Sequence, residues 1–172
     1  MVSVYVSVGS NIEREKNVRS AIAALREQFG ELTLSTVYDC KAVGFDGDDF
    51  YNLVVGFETD DGVQAVAQLL QEIEVEHGRT RNRQRFVSRT LDLDLLLYGN
   101  LILKDDVICL PREEITRYAF VLAPLAEIAG ERRHPMSGKR LRDMWAAFDG
   151  GSQVLRPVQF DWELPAAAVA TE

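Results

Sequence analysis

Cysteine is scarce in this chain: Cys40 and Cys109 are the only two, with neither metal-ligand spacing nor a paired framework. A disulfide-stapled secreted scaffold and a cysteine-zinc module are thereby disfavoured, and a reducing compartment is expected. No apolar run approaches the ~20 residues a membrane span requires, and no signal peptide precedes "VSVYVSVGSN". A cytoplasmic location is the expectation. Internal repeats and dividing linkers are also lacking. At 172 residues, 47% apolar and 27% charged, the chain fits one soluble domain with a core of its own. Positive charge is short overall, with a net of −8, which disfavours generic nucleic-acid binding.

The positive charge that is present is concentrated. Arg79, Arg81, Arg83, Arg85 and Arg89 fall in one short stretch, "GRTRNRQRFVSR". A guanidinium offers a planar fork of donors suited to phosphate oxygens, so this reads as a local anion site in an acidic molecule. Directly behind it stands "TLDLDLLLYG", alternating and then wholly apolar, the pattern of a strand with a buried face. Alternate strand residues share a face, so Asp92 and Asp94 project together. Two carboxylates on a stiff element suit Mg²⁺, which binds one or two carboxylates plus substrate phosphates. Either half has a plainer reading. Asp-x-Asp alone fits edge-strand solvation or an ion pair with arginine, and an arginine run alone fits a solvated loop. Their adjacency is what points to phosphoryl transfer.

Residues 2–8 read as a strand ended by Gly9-Ser10-Asn11. A helix follows from about Glu13 to Phe29, with Val18, Ala21, Ile22 and Leu25 on one stripe and Gly30 as its stop. Residues 31–39 alternate as a second strand, and "KAVGFDGDD" reads as a loop. "FYNLVVGFET" is a third strand. A second helix spans roughly Gly62 to Glu76, with Asp60 or Asp61 as N-cap and Gly78 as its end. Adding the Asp-x-Asp strand gives β-α-β-β-α-β. The fold class is α+β: a ferredoxin-like core with an antiparallel sheet in a three-layer α-β-α arrangement. "LILKDDVICLP" predicts one or two short strands, and "ITRYAFVLAPLAEIAG" predicts helical turns interrupted at Pro124. A last helix is expected from about Leu141 to Phe148. Residues 1–150 are read as a single domain and 151–172 as a partly disordered extension.

Taken together, "SVGSN", "FYNLVV", "GRTRNRQRFVSRTLDLDLLLYGN" and "LPREEITRYAFVLAPLAEIAG" resemble the hydroxymethyl-dihydropterin pyrophosphokinases across about residues 2–148. That resemblance implies transfer of pyrophosphate from ATP to 6-hydroxymethyl-7,8-dihydropterin, with release of AMP, in folate biosynthesis. It implies Asp92 and Asp94 as holders of two Mg²⁺ ions. Arg79, Arg89, Asp92 and Asp94 form the implied catalytic set. Gln71, Glu74, Arg79, Arg81, Arg85, Arg89 and Arg112 are implied ATP contacts; for Gln71 and Glu74 the plainer reading is a solvated helix face. Implied pterin contacts are Cys40, Val43, Phe50, Asn52 and Phe120, the two phenylalanines stacking on the flat ring. Otherwise they read as core.

The expected partners are small-molecule substrates, with no nucleic acid and no membrane, acting on a monomer. Asn11 is read as fixing a turn beneath the site, and the two histidines as uninvolved. Members of the family usually have Trp-Gly-Pro where this chain has Phe86-Val87-Ser88, and a histidine where it has Arg112. Val107, Cys109 and Tyr118 also depart from the pattern. A non-catalytic or altered-specificity pterin- or nucleotide-binding paralogue is therefore the alternative. An RNA-binding module using the arginine loop is disfavoured by the net charge and by the lack of interleaved aromatics.

Overall fold

The computed structural model describes residues 1–41, 49–78, 91–150 and 153–163. Its centre is β1 (Val2–Ser10), paired antiparallel with β4 (Phe50–Thr59) on one side and β5 (Asp92–Tyr98) on the other. β4 in turn pairs β2 (Thr33–Leu34) and β3 (Val37–Cys40). The spatial order β5-β1-β4-β3 is that of a βαββαβ unit in which the first and third strands lie innermost. The two helices of the unit, α1 (Arg14–Phe29) and α2 (Val63–Glu76), follow β1 and β4 as the periodicity predicts.

Alternation assigns the strand faces to two cores, with a break in the β1–β5 register that turns both Leu96 and Leu97 to the same side. Val4, Val6 and Val8 of β1, with Leu53 and Val55 of β4 and Leu93 of β5, pack against Val18, Ile22 and Leu25 of α1 and Val66 and Leu70 of α2. The opposite face carries Val54, Leu96 and Leu97. It is covered by Ile115 of α3 (Glu114–Arg117), by Val121, Leu122 and Leu125 of α4 (Ala119–Ala129), and by Leu141 of α5 (Leu141–Ala146). Helices thus bury both sheet faces, giving the three layers expected. Burial of this many aliphatic side chains supplies the main stabilising term.

Several local readings change. The run 31–39 is two strands, because Ser35 takes over the pairing: Val54 N–H donates to Ser35 Oγ at 2.9 Å and Ser35 N–H to Val54 O at 3.0 Å. Thr36 N–H then turns to Glu127 Oε2 at 2.9 Å. The N-cap of α2 is Gly62, not Asp60 or Asp61, and no side chain caps it. Asp61 N–H is instead taken by Thr59 Oγ1 at 3.1 Å.

Pro124 does not interrupt its helix. It sits inside α4, where it cannot donate to the Phe120 carbonyl, and the burial of Val121, Leu122 and Leu125 carries the helix through. Helix α5 ends at Ala146, two residues short of the expected Phe148. "LILKDDVICLP" forms the hairpin β6 (Leu103–Lys104) and β7 (Cys109–Leu110). Beyond Gly150, where patterning fades, β8 (Arg156–Val158) extends the sheet by pairing with β3. Most of the presumed loop at 41–49, and the tail beyond Glu163, fall outside the described residues.

Candidate active site

Reading the α4-side face of the sheet along each strand reveals a change of character. Under α4 the face is apolar, with Tyr5, Val54 and Leu96 packed into that core. Toward the other end the same alternation brings up Ser7 and Gly9 on β1, Asn52 and Phe50 on β4, and Asp94 and Asp92 on β5. The register sets them side by side: Gly9 is opposite both Asn52 and Asp92, Ser7 is opposite Asp94, and Cys40 of β3 is opposite Phe50. Five of the expected site residues, Cys40, Phe50, Asn52, Asp92 and Asp94, therefore share one face of four adjacent strands.

Gly9 is the residue that spacing did not single out. A Cβ built there would lie 2.7 Å from Asn52 Oδ1 and 3.8 Å from the Phe50 ring. The bare strand at this point is what lets the Asn52 amide lie across β1, which is the positional meaning of a glycine inside a valine-rich strand. Asn52 is buried, and its side chain also hydrogen-bonds the Cys40 thiol. Burial pushes that thiol up to about 11, with Asp39 and Asp49 adding to the rise against the opposing bond from Asn52. Cys40 is thus a neutral thiol at physiological pH, a small polar neighbour rather than a nucleophile.

Asp92 and Asp94 project together as expected, both partly exposed. Between them the Leu93 side chain points into the opposite core, while its backbone N–H donates to Glu74 Oε2 at 2.7 Å. Glu74 is 6% exposed. It belongs to the buried stripe of Leu70 and Ile73, whereas Gln71 is exposed, so the two do not form one solvated helix face. The physical reason is the sheet edge. β5 is the outermost strand on its side, and an outward N–H between two carboxylates needs an acceptor that α2 supplies.

Arg112 answers the acidic pair from the other direction. Its backbone N–H donates to Leu96 O at 3.1 Å, which seats it beside β5. Its guanidinium lies 3.5 Å from Asp94 Oδ1 and donates through Nε to Glu114 Oε2 at 2.8 Å. Burial works against its charge, yet Asp94, Glu114 and Asp92 together hold it protonated above the ordinary arginine range. Phe120, on the first turn of α4, stacks against Tyr118 with centroids 5.1 Å apart. Beneath the site the turn after β1 is fixed by Ser10 Oγ donating to Ile12 O at 3.0 Å and by Asn17 Nδ2 donating to the same oxygen at 2.6 Å. Asn11, expected to fix that turn, is buried within it, and Asn17 is the contributor that sequence reading missed.

Neither histidine joins the site: His77 bonds Ile73 O and Ser20 Oγ, and His134 lies in a turn near α5. Val43, Arg79, Arg81, Arg85, Arg89 and the Phe86-Val87-Ser88 segment fall outside the described residues. Both cysteines are free, and no described helix is long and apolar enough to cross a membrane.

Two carboxylates on one strand face make a hard oxygen pair, with an arginine already supplying countercharge. Such a donor set fits Mg²⁺, which keeps several waters and takes few protein ligands.

A family model described as 7,8-dihydro-6-hydroxymethylpterin-pyrophosphokinase matches residues 5–130. A 2-amino-4-hydroxy-6-hydroxymethyldihydropteridine pyrophosphokinase of Haemophilus influenzae is 36% identical over 141 residues, covering 80% of this chain and 88% of its own length. One of Pseudomonas aeruginosa is also 36% identical, covering 86% of this chain and 93% of that protein. A Plasmodium falciparum HPPK-DHPS crystal structure superposes with a TM-score of 0.64 at 12% identity, over 84% of this chain. The present chain spans only 43% of that longer one, and at such identity the likeness concerns the fold. By sequence, then, this chain belongs to the 7,8-dihydro-6-hydroxymethylpterin pyrophosphokinase family.

Proposed function

We propose that this protein transfers a pyrophosphoryl group from ATP to 6-hydroxymethyl-7,8-dihydropterin, yielding AMP and the pterin diphosphate, the folate-pathway activity named for its relatives. The observation that carries the reading is the single sheet face on which Asp92 and Asp94 stand two strands from Asn52 and three from Cys40. A phosphate-handling end and a flat-ring end are thus parts of one surface.

The hydroxymethyl oxygen of the pterin attacks the β-phosphorus of ATP and its proton is released to solvent; the bond from that phosphorus to the oxygen bridging the α-phosphate breaks, and AMP departs. Positioning and charge neutralisation supply most of the acceleration in such reactions, so no covalent enzyme intermediate is required. Asp92 and Asp94 are the residues that would hold Mg²⁺, whose chemistry is to neutralise charge on the polyphosphate. Two ions are the family expectation. Asn52 hydrogen-bonds the polar edge of the pterin, Cys40 and Val43 line it, and Phe50 and Phe120 stack on its faces. Arg79 and Arg89 stabilise phosphate charge, and Arg81 and Arg85 add to it as water is excluded. Gln71 and Arg112 serve the nucleotide. Glu74 serves the same end indirectly, by fixing the strand between the two aspartates. The working unit is a monomer acting in the cytoplasm.

The test is a coupled assay for pterin-dependent AMP release. Asp94→Ala is expected to lower turnover on the order of a hundredfold or more while leaving the fold intact. Retention of more than about a tenth of wild-type turnover would remove Asp94 from the role of metal ligand.

A further inference from the structure

The segment after Gly150 lies beyond the residues matched by the family, yet it touches the acceptor end of the site on two flanks. At one flank, Gln153 Oε1 accepts the Ala119 backbone N–H at 2.7 Å, and its Nε2 donates to Arg117 O at 3.1 Å. Ala119 opens α4, whose N-cap residue Tyr118 provides no side-chain bond of its own. A first-turn N–H without a local cap needs an acceptor from elsewhere, and Gln153 supplies it one residue before Phe120.

At the other flank, Arg156 Nη2 lies 3.0 Å from Asp49 Oδ2 and 3.7 Å from Asp39 Oδ1. Arg14 completes the group, 3.0 Å from Asp39 Oδ1, donating to Asp49 O at 3.1 Å, its guanidinium 3.9 Å above the Tyr51 ring. Asp39 immediately precedes Cys40 and Asp49 immediately precedes Phe50, and Cys40 and Phe50 are cross-strand partners. The segment is itself anchored. Phe160 meets Tyr51 edge-on at 6.0 Å, and Arg19 Nε donates to Asp161 O at 2.7 Å.

We propose that β8 and its approach form a brace for the pterin subsite, with Gln153 and Arg156 as positioning residues. Gln153 sets the first turn of α4, and with it Phe120. Arg156 clamps the strand ends that carry Cys40 and Phe50. The inference rests on the pterin reading above. Neither residue touches the phosphate-handling end at Asp92 and Asp94, so the effect should fall on one substrate. Arg156 has a side chain 61% exposed, and exposed ion pairs contribute little to stability, so its removal should spare the fold. A small displacement of ring-holding groups, by contrast, acts directly on binding.

Calorimetry with 6-hydroxymethylpterin and, separately, with Mg²⁺ and a non-hydrolysable ATP analogue provides the test, beside thermal melts. Arg156→Ala and Gln153→Ala should each weaken pterin binding by about fivefold or more and shift nucleotide binding by less than about twofold. Arg156→Lys, which keeps the charge, and Gln153→Glu, which keeps an acceptor for Ala119 N–H, should recover part of the loss. Equal weakening of both ligands, or pterin affinity unmoved in both alanine variants, overturns the brace alone. Failure of the wild-type protein to bind pterin overturns the brace together with the reading beneath it.

Discussion

Gly9 shows how much a single residue can decide. Asn52 reaches across β1 only because no Cβ stands in its way, the built atom falling 2.7 Å from Asn52 Oδ1. In Gly9→Ala the amide must rotate or the strands must part. The variant should lose about 1–3 kcal/mol of stability as an overpacked site, and pterin affinity should fall as well. Urea denaturation and pterin titration read the two effects, and a variant matching wild type in both would remove Gly9 from the site. The paired carboxylates were legible because residue type and strand spacing carry their chemistry. Asn52, Phe50 and Phe120 were expected only from the resemblance to the pyrophosphokinases, since by residue type the two phenylalanines read as core. Gly9's part was not legible, since it arises from the pairing of β1 with β4, more than forty residues apart in the chain. Glu74 illustrates the same limit: helical spacing places it near Gln71, but only the neighbouring strand reveals that its carboxylate is buried against Leu93.

Among the elements, β5 is the one whose placement matters most, because it presents both aspartates. One of its edges is held by β1 and the other is met by α2 through Glu74. Removing that carboxylate leaves the Leu93 N–H without its acceptor inside a buried environment. Glu74→Ala should therefore cost about 1–3 kcal/mol, while Glu74→Gln, whose amide oxygen can still accept, should cost less. Chemical denaturation of both variants checks the order, and equal losses would mean that the Glu74 charge, not its bond to Leu93, is what counts. The first helix and the strands at 50–59 and 92–98 were readable from periodicity, since each has one clear buried stripe or a long apolar run. The single strand expected at 31–39 was not divisible by pattern alone, because the break depends on Ser35 bonding a distant Val54. β8 was hidden for a related reason: a short edge strand of "RPV" has too few residues to display alternation.

At the level of the whole molecule, a net charge of −8 sets one response to acid and His134 sets another. Lowering the pH from 7 toward 5 reduces net negative charge and with it self-repulsion, which favours the compact state. His134 works in the opposite direction. Its Nδ1 accepts backbone N–H groups from Met136 at 3.2 Å and Ser137 at 3.4 Å, so the folded turn requires the unprotonated nitrogen. Burial lowers its pKa below the ordinary histidine value. The unfolded chain therefore binds this proton more readily than the folded one. The stability it contributes is complete above the unfolded pKa of about 6.5 and is lost as pH falls through that value toward the folded pKa. The turn matters because it leads into Leu141, which is fully buried beside α4. His134→Gln should be less stable than wild type at pH 7.5, and the gap should narrow by pH 5.5, as wild type alone pays for protonation. Thermal melts of the two proteins at both pH values make the comparison, and a gap that stays constant would show that His134 does not couple the fold to acid.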